Sequence, residues 1–379
     1  MLRNFSGHQR IYSSSWQYLR RTGTIGLMVG MLSACTPNAP TNVPPNRPAG
    51  ETGSNSASPS NSSIKVLATS SVLCDLTQRI AQETVALKCL IPSGQDPHTY
   101  EATPADRQAL ETANLVLYNG YNFEPGILRL IEATPASVTK VAIAPLAVPK
   151  PRMGGHDHAD DHDHAGGHDH DEGPNHDKTD HDKTDHDQTA KENPKTDADP
   201  HIWHNARYGI AMVDTIQKQL TQVNPNHAAT YTKNAQALRD RLTQIDNWIK
   251  ASIATIPASQ RKLVTTHDAM GYYSDAYGLT IEGALQGLST ETQPTPTRMK
   301  DLVDQIKTTQ VPAIFAEVSG NNNLIRTIAQ DANVKLAEPE LITDGLGAPG
   351  SNAETYETML VQNTRTIVTN LGGKPPELP

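Results

Sequence analysis

The amino-acid sequence predicts an α/β protein with two lobes, each built on a mainly parallel sheet, joined by one long linking helix. Short apolar strands alternate with helical segments in residues 64–144, and a second series of this kind follows residue 261, which is the pattern of parallel α/β sheets. Between the two series, apolar residues recur at steps of three or four from Tyr231 to Ile249 and predict a helix of about 30 residues, roughly 45 Å long. Because binding clefts commonly form at domain boundaries, we expect the functional site between the lobes.

The first lobe is predicted to cover residues 64–225. Apolar patterning indicates strands at residues 64–69, 85–91 and 138–144, with a helix between the first two strands. A further helix over residues 208–223 closes this part of the chain.

The linking helix is predicted over residues 226–257, and the second lobe over residues 258–379. The elements predicted in the second lobe include strands at residues 261–266, 311–317 and 334–336 and a helix at residues 322–333. The second lobe therefore repeats the architecture of the first.

The first 34 residues have the composition of a secretory signal, with four arginines, no Asp or Glu, and an apolar stretch over residues 25–32. This stretch is too short to span a bilayer, which needs about 20 apolar residues. Residues 32–35 resemble the bacterial lipobox, in which the cysteine, here Cys35, is lipidated and becomes the new N-terminus. Such an anchor implies a periplasmic or cell-surface protein attached to the membrane. Ordinary cleavage near Ala34, leaving Cys35 as a free thiol, is the alternative.

Residues 35–63 and 151–199 lack the apolar side chains that a packed core requires. The first segment, rich in Pro, Asn, Ser, Thr and Gly, is predicted to be a flexible tether. The second is an insert in the first lobe and is expected to lack fixed structure. Nine histidines in this insert are candidate weak metal ligands: His156, His158, His162, His164, His168, His170, His176, His181 and His186. We expect the insert to collect or buffer the metal that the protein binds; a solubilising loop that binds metal only incidentally is the alternative.

Charge and cysteine content limit the partners and the redox chemistry. The chain has a formal net charge of −9, which argues against a nucleic-acid partner. Besides Cys35, only Cys74 and Cys89 are present. An oxidising compartment permits these two to form a disulfide, whereas two small buried thiols are the alternative.

Four short segments place metal-binding side chains after predicted strands or in loops. They are Asp96-Pro97-His98, Asp199-Pro200-His201, Thr266-His267-Asp268 and Thr343-Asp344-Gly345. A proline before a histidine restricts the backbone, so each Asp-Pro-His segment holds its imidazole at a rigid turn. Ligands of open α/β sheets bind beyond the carboxyl ends of the strands. We therefore predict one metal site between the lobes, made by His98, His201, His267 and Asp344.

Each of these residues also has a purely structural interpretation. A histidine after proline can cap a turn, and Asp344 with Gly345 is a common turn pair. A water or Glu101 is an alternative fourth ligand, and His204 is a rival to His201. We favour His201 because it follows Asp-Pro, and we expect His204 to lie outside the ligand set.

Taken together, the motifs resemble those of the zinc and manganese solute-binding lipoproteins of bacterial ABC importers. The resemblance rests on Asp-Pro-His-Thr-Tyr-Glu at 96–101, Asp-Pro-His-Ile-Trp at 199–203, Thr-His-Asp-Ala-Met-Gly-Tyr-Tyr at 266–273 and the late Asp344, and it covers roughly residues 64–379. It implies that His98, His201, His267 and Asp344 bind the metal and that Glu317 is a supporting carboxylate nearby. It further implies delivery of the metal to a membrane permease. We expect the protein to act as a monomer.

The same resemblance favours zinc, of the high-affinity uptake type, as the bound metal. Manganese members carry glutamate where this chain has His267, whereas zinc members carry histidine. The chemistry agrees, because three imidazoles and one carboxylate suit zinc, while manganese prefers more oxygen ligands. A manganese-binding or adhesin member of the family is the first alternative.

A zinc hydrolase is the second alternative, because three histidines with an open coordination position can activate water. The sequence contains neither a His-Glu-x-x-His segment nor a Gly-x-Ser-x-Gly nucleophile motif. A fourth protein ligand would also close the position that water needs. We therefore expect a binding protein and not an enzyme.

Overall fold

The computed structural model describes residues 63–154, 197–320 and 322–379 of the chain. These residues form two α/β lobes with parallel sheets and a long helix that links them, as the sequence predicts. The predicted signal at residues 1–34, the predicted tether apart from its last residue, and most of the histidine-rich insert lie outside the described residues.

The first lobe is built on a four-stranded parallel sheet with the strand order β2-β1-β3-β4. Its elements are β1 (Lys65–Ala68), α1 (Ser71–Ala81), β2 (Ala86–Cys89), α2 (Pro104–Thr112), β3 (Leu115–Tyr118), α3 (Pro125–Ala133), β4 (Thr139–Ala142), α4 (Ile143–Ala147) and α5 (Ala206–Val223). The central strands β1 and β3 are buried on both faces, as Val66, Leu67, Leu115 and Val116 show. Such continuous apolar strands are typical of a parallel sheet that helices cover on both sides.

The linking helix, α6 (Ala228–Ala254), has 27 residues, which corresponds to a length of about 40 Å. Its bounds lie within the predicted range of residues 226–257. One face of α6, which includes Leu238, Leu242 and Ile249, is buried and contacts α1 and α5 of the first lobe. No helix among the described residues is long and apolar enough to cross a membrane.

The second lobe repeats the strand order of the first, as β6-β5-β7-β8. Its elements are β5 (Lys262–His267), α7 (Gly271–Tyr277), β6 (Thr280–Gln286), α8 (Pro296–Thr309), β7 (Ala313–Glu317), α9 (Asn322–Ala332), β8 (Lys335–Leu341) and α10 (Tyr356–Asn370), and α10 also packs on α6. The strand predicted at residues 334–336 is therefore too short. By strand order, β5 and β7 occupy the positions that β1 and β3 have in the first lobe.

One cluster of buried side chains extends through both lobes, and direct hydrogen bonds also join the lobes. Leu117 of the first lobe and Phe315 of the second belong to the same cluster of buried side chains. The Tyr356 hydroxyl donates to the Trp203 carbonyl at 2.5 Å, and the Leu346 N–H donates to the hydroxyl of Ser71 at 2.9 Å. The structure is thus a closed arrangement of the lobes.

A disulfide joins Cys74 in α1 to Cys89 in β2. Of the two interpretations that the sequence left open, the structure therefore shows the bonded one. The bond attaches the first helix of the lobe to the edge strand beside it.

A buried carboxyl group connects the carboxyl ends of β1 and β3. Oε1 of Glu124 accepts hydrogen bonds from the Thr69 hydroxyl at 2.6 Å and from the Asn119 N–H at 2.8 Å. Burial raises the pKa of Glu124 to about 7, although these hydrogen bonds act in the opposite direction. Glu124 therefore titrates near neutral pH in the folded protein.

The variant Glu124→Gln is expected to weaken the pH dependence of unfolding. Because the folded-state pKa of Glu124 is raised, its contribution to stability is present at low pH and is lost as the pH rises through about 7. Between about pH 5 and pH 8, the free energy of unfolding of the wild type should fall relative to that of the variant by about 2 kcal/mol. Urea unfolding at both pH values measures this difference. Parallel pH dependences would contradict it.

Candidate metal site

Four metal-binding side chains meet between the lobes, near the carboxyl ends of strands. His98 follows β2, His201 precedes α5, His267 is the last residue of β5, and Asp344 follows β8. All four residues are buried, and one ligand atom from each lies within 4.8 Å of the other three. The structure thus brings together the four residues that the sequence predicts as ligands.

The ligand atoms have the spacing of a tetrahedral site. Nε2 of His201 lies 3.4 Å from Nε2 of His98 and 3.4 Å from Nε2 of His267. Oδ1 of Asp344 lies 3.1, 3.4 and 3.6 Å from the Nε2 atoms of His267, His201 and His98. A regular tetrahedron with metal–ligand distances of about 2.0–2.1 Å has edges of about 3.3–3.4 Å. Five measured edges are close to this value.

The aspartate of the second Asp-Pro-His segment orients His201. Oδ1 of Asp199 accepts hydrogen bonds from the His201 backbone N–H and from its Nδ1, both at 2.9 Å. Because an ionised carboxylate only accepts hydrogen bonds, Nδ1 of His201 carries the proton. When His201 carries only this proton, Nε2 has a free lone pair, and Nε2 is the atom that lies in the cluster.

Glu317, the predicted supporting carboxylate, has the same relation to His267. Its Oε1 accepts from the backbone N–H groups of Thr266 and His267 at 3.0 and 3.1 Å. Its Oε2 accepts from Nδ1 of His267 and, at 3.2 Å, from the hydroxyl of Thr343. Glu317 thus fixes both the ring orientation and the proton position of His267.

Asp344 offers a single oxygen to the cluster. Its other oxygen, Oδ2, accepts a hydrogen bond from the Ser319 hydroxyl at 2.6 Å. Burial acts to raise the pKa of Asp344, but the imidazoles of His267, His201 and His98 outweigh burial and hold this pKa well below its usual range. Asp344 is therefore ionised and ready to bind a cation.

The carboxylates around the cluster also favour protons on two imidazoles. Burial acts to lower the pKa of His267, but the charges of Asp344 and Glu317 hold it well above the ordinary value. Burial acts in the same way on His201, yet the hydrogen bonds to Asp199 and Asp344 raise its pKa. In the absence of metal, protons on His267 and His201 therefore supply the positive charge that a bound cation would supply.

Binding of a divalent metal at pH 7 is expected to release at least one proton, because His267 must lose its second proton to become a ligand. Since the folded-state pKa values of His267 and His201 are raised, proton competition extends above pH 6.5, and metal affinity should fall as the pH falls. Calorimetric titration in buffers with different ionisation enthalpies measures the proton release. A binding heat that is independent of the buffer, together with an affinity that is flat with pH, would contradict this prediction.

Aromatic side chains shield the cluster on the side of the first lobe. The His98 ring lies edge-on to Phe123, with ring centroids 5.1 Å apart, and Phe123 packs on Trp203 at 4.7 Å. The backbone N–H of His98 donates to Oδ1 of Asp96 at 2.9 Å. These contacts hold the loop of His98 and exclude water from its ring.

His204 and Glu101, the two rivals considered from the sequence, lie outside the cluster. Nε2 of the buried His204 donates to the Thr343 carbonyl at 2.9 Å. Burial and the neighbouring His201 lower the pKa of His204 to about 4, so it is neutral. Glu101 is exposed.

Sequence reasoning missed three residues that contact the ligands through hydrogen bonds, namely Asp96, Asp199 and Ser319. A signal for the first two was present, because both belong to Asp-Pro-His segments and stand two residues before a histidine. The predicted accessory ligands in the insert, from His156 to His186, and the predicted lipidation site Cys35 lie outside the described residues. These remain predictions.

Two α/β lobes closed around a buried cluster of three histidines and one carboxylate define a metal-binding protein. The chain belongs to the family described as "Zinc-uptake complex component A periplasmic", whose model matches residues 66–370. Membership of this family makes the chain the extracytoplasmic metal-binding component of an ABC transporter, and not an enzyme.

Curated relatives and solved structures agree with this assignment. The chain is 30% identical over 312 residues to "Manganese ABC transporter substrate-binding lipoprotein PsaA" of Streptococcus mitis, which covers 81% of this chain and 89% of the relative. It is 29% identical over 310 residues to "Manganese-binding lipoprotein MntA" of Halalkalibacterium halodurans, covering 81% of this chain and 88% of the relative. The structure of the periplasmic zinc-binding protein TroA from Treponema pallidum matches with a TM-score of 0.68 and 27% identity, over 82% of this chain and 99% of that one.

Proposed function

We propose that this chain captures Zn²⁺ between its lobes and delivers it to the permease of an ABC importer. The ligands in this proposal are Nε2 of His98, His201 and His267 and Oδ1 of Asp344. The observation that carries the proposal is the tetrahedral spacing of these atoms, which lie 3.1–3.6 Å apart over five pairs.

Zinc is favoured over manganese by the donor set. Manganese suits sites of six ligands that are mostly oxygen, whereas zinc takes four ligands and accepts imidazole readily. Three of the four donors are imidazoles, and the hydrogen bond from Ser319 engages the second oxygen of Asp344. The relatives named for manganese make manganese the second candidate, whereas the similar structure of TroA is named for zinc, which supports the proposal.

Direct competition between the two metals tests the choice of zinc. Protein stripped of metal would be dialysed against equal concentrations of Zn²⁺ and Mn²⁺, and the bound metal counted by elemental mass spectrometry. We expect one tightly bound zinc per chain and no manganese, with the histidine-rich insert removed so that weak sites do not add to the count. Retention of manganese in preference to zinc would overturn the choice of metal.

The histidine-rich insert is proposed to collect or buffer zinc near the principal site. Its nine histidines alternate with aspartates, so neutral imidazoles and carboxylates form many weak sites. Deletion of residues 156–190 should leave one tight zinc and remove the weaker ones, as measured by titration. Unchanged stoichiometry would show that the insert does not bind zinc.

We propose that Cys35 carries a lipid, which anchors the protein to the membrane. We also propose that the anchored protein is a monomer. Both curated relatives named above are lipoproteins by name, and residues 32–35 resemble a lipobox. Intact-mass analysis of the mature protein tests this proposal. A mature N-terminus without a diacylglyceryl group would contradict it.

A further inference from the structure

The two described ends of the histidine-rich insert are joined in a short antiparallel stem, made by residues 152–154 and 197–199. Met153 and Ala198 form an isolated β-bridge. The Gly154 N–H donates to the Asp197 carbonyl at 2.9 Å, and the Asp199 N–H donates to the Arg152 carbonyl at 2.8 Å. The stem therefore ends at Asp199, the residue that orients His201.

The stem also contacts the second lobe. The Arg152 N–H donates to the hydroxyl oxygen of Tyr272 at 2.9 Å, and the Tyr272 hydroxyl donates to the Asp199 carbonyl at 3.1 Å. Tyr272 belongs to α7, which follows His267 by only a few residues. The stem thus connects the segments of two ligands that come from different lobes.

The Arg152 guanidinium lies among three carboxylates. Its Nη1 is 3.7 Å from Oδ2 of Asp199 and 3.6 Å from Oδ2 of Asp268, and its Nε is 3.5 Å from Oδ2 of Asp275. These are ion-pair distances and not direct hydrogen bonds. The Asp199 and Asp268 carboxylates are largely shielded from water, whereas Asp275 is exposed and its pair with Arg152 is weakened by solvent.

Gly271 makes room for this guanidinium. A Cβ atom at Gly271 would lie 2.6 Å from Nη1, 2.7 Å from Cζ and 2.8 Å from Nε of Arg152. Any larger residue at position 271 must therefore displace the end of the Arg152 side chain. The size of the residue at position 271 thus determines the position of the Arg152 guanidinium.

We infer that Arg152 is a positioning residue that holds Asp199, and through it His201, while joining the stem to the second lobe, and that it thereby slows release of the bound metal. This inference rests on the proposed function, because it concerns the release step of the same site. The carboxylate of Asp199 is shared, with Oδ1 on His201 and Oδ2 facing Arg152. Loss of Arg152 frees Asp199 to move and removes one interlobe connection beside the cleft.

A purely electrostatic role of Arg152 predicts the opposite change in the rate of metal release. Removing a cation near a bound Zn²⁺ reduces repulsion, so a purely electrostatic role for Arg152 predicts slower release in its absence. A positioning role predicts faster release. The sign of the change in the release rate therefore distinguishes the two roles.

The test compares zinc release from full-length wild type, Arg152→Gln, Gly271→Ala and the double variant, by mixing loaded protein with an excess of a chromogenic chelator. We expect about tenfold faster release from Arg152→Gln, the lower end of the effect of removing a group that supports a metal ligand. Gly271→Ala, which keeps Arg152 but displaces its guanidinium, should release zinc faster as well. The double variant should be no faster than Arg152→Gln alone, because both changes remove the same contact.

The matched control is Arg79→Gln, which breaks an ion pair between α1 and α10, 2.7 Å long, that joins the same two lobes away from the site. Its release rate should equal that of the wild type. The visible spectrum of Co²⁺-loaded protein should shift in Arg152→Gln and not in Arg79→Gln, because only the first changes how His201 is held.

Release from Arg152→Gln that is unchanged or slower, or an equal acceleration in Arg79→Gln, would overturn the inference while leaving the proposed function intact. A wild-type protein without any tightly bound zinc would overturn both. Fully additive effects in the double variant would also contradict it, since they would mean that Gly271 and Arg152 act separately.

Discussion

Replacing His267 by alanine is expected to abolish tight zinc binding. The change removes one of four ligand atoms and leaves two buried carboxylates, Glu317 and Asp344, without the imidazole that lies between them. Zinc affinity should fall by more than about a hundredfold, beyond the usual effect of losing a group that only supports a ligand. Competition with a chelator of known affinity measures the loss.

A second histidine provides the control for this experiment. His227 is exposed at the start of α6 and lies outside the cluster, so His227→Ala should bind zinc as the wild type does. Equal losses in both variants, or tight zinc retained without His267, would mean that the site is wrongly assigned. Unfolding of each metal-free variant by urea shows whether the alanine acts on binding or on folding.

The second large effect is expected from Glu317→Gln, which keeps the shape of the side chain but removes its charge. Glu317 accepts four hydrogen bonds, two from backbone N–H groups and two from Nδ1 of His267 and the hydroxyl of Thr343. The side-chain amide of glutamine has one oxygen, which accepts hydrogen bonds, and one NH₂ group, which donates them. In Glu317→Gln the NH₂ group must therefore face either the two backbone N–H groups or Nδ1 of His267. In the second case the proton of His267 moves to Nε2, where it blocks the metal.

Zinc affinity of Glu317→Gln should fall about tenfold to a hundredfold, although the variant changes no ligand atom. The matched control is Asp214→Asn, which removes the charge of a half-exposed carboxylate that pairs with Arg239 and is not part of the cluster. An affinity that is equal in Glu317→Gln and the wild type would show that the proton position on His267 does not matter for binding.

The ligand set could be predicted from the sequence because its signals are local. Asp-Pro-His occurs twice, and His267 and Asp344 each stand in a short polar segment after apolar residues. The groups that support these ligands have no such local signal, because they depend on contacts between distant segments. Glu317, which is 50 residues from His267, was predicted only through the resemblance to a known family, and Ser319, which is 25 residues from Asp344, was missed.

The fold was predicted for a similar reason, since apolar periodicity marks strands and helices one at a time. The end of β8 was missed because Lys335–Leu341 contains Pro339 and two glutamates, which are unusual in a buried strand. β8 is an edge strand of its sheet, where proline is tolerated. Position in the sheet is a property of the whole lobe, and a single segment does not reveal it.

The room that Gly271 provides for Arg152 also has no signature in the sequence. Nothing in either segment alone marks Gly271 or Arg152 as unusual. Only the folded chain shows that the Arg152 guanidinium occupies the space that a side chain at position 271 would need. Close approaches between segments that are more than a hundred residues apart belong to tertiary packing, which local patterns do not encode.

X-ray absorption at the zinc edge, on protein loaded with one zinc per chain, tests the proposed set of four ligands. We expect four-coordinate zinc with three imidazole nitrogens and one carboxylate oxygen, at distances of about 2.0–2.1 Å. In the His267→Ala variant, this four-coordinate site should no longer be detected. Six-coordinate zinc, or fewer than three imidazoles in the wild type, would contradict the proposed site.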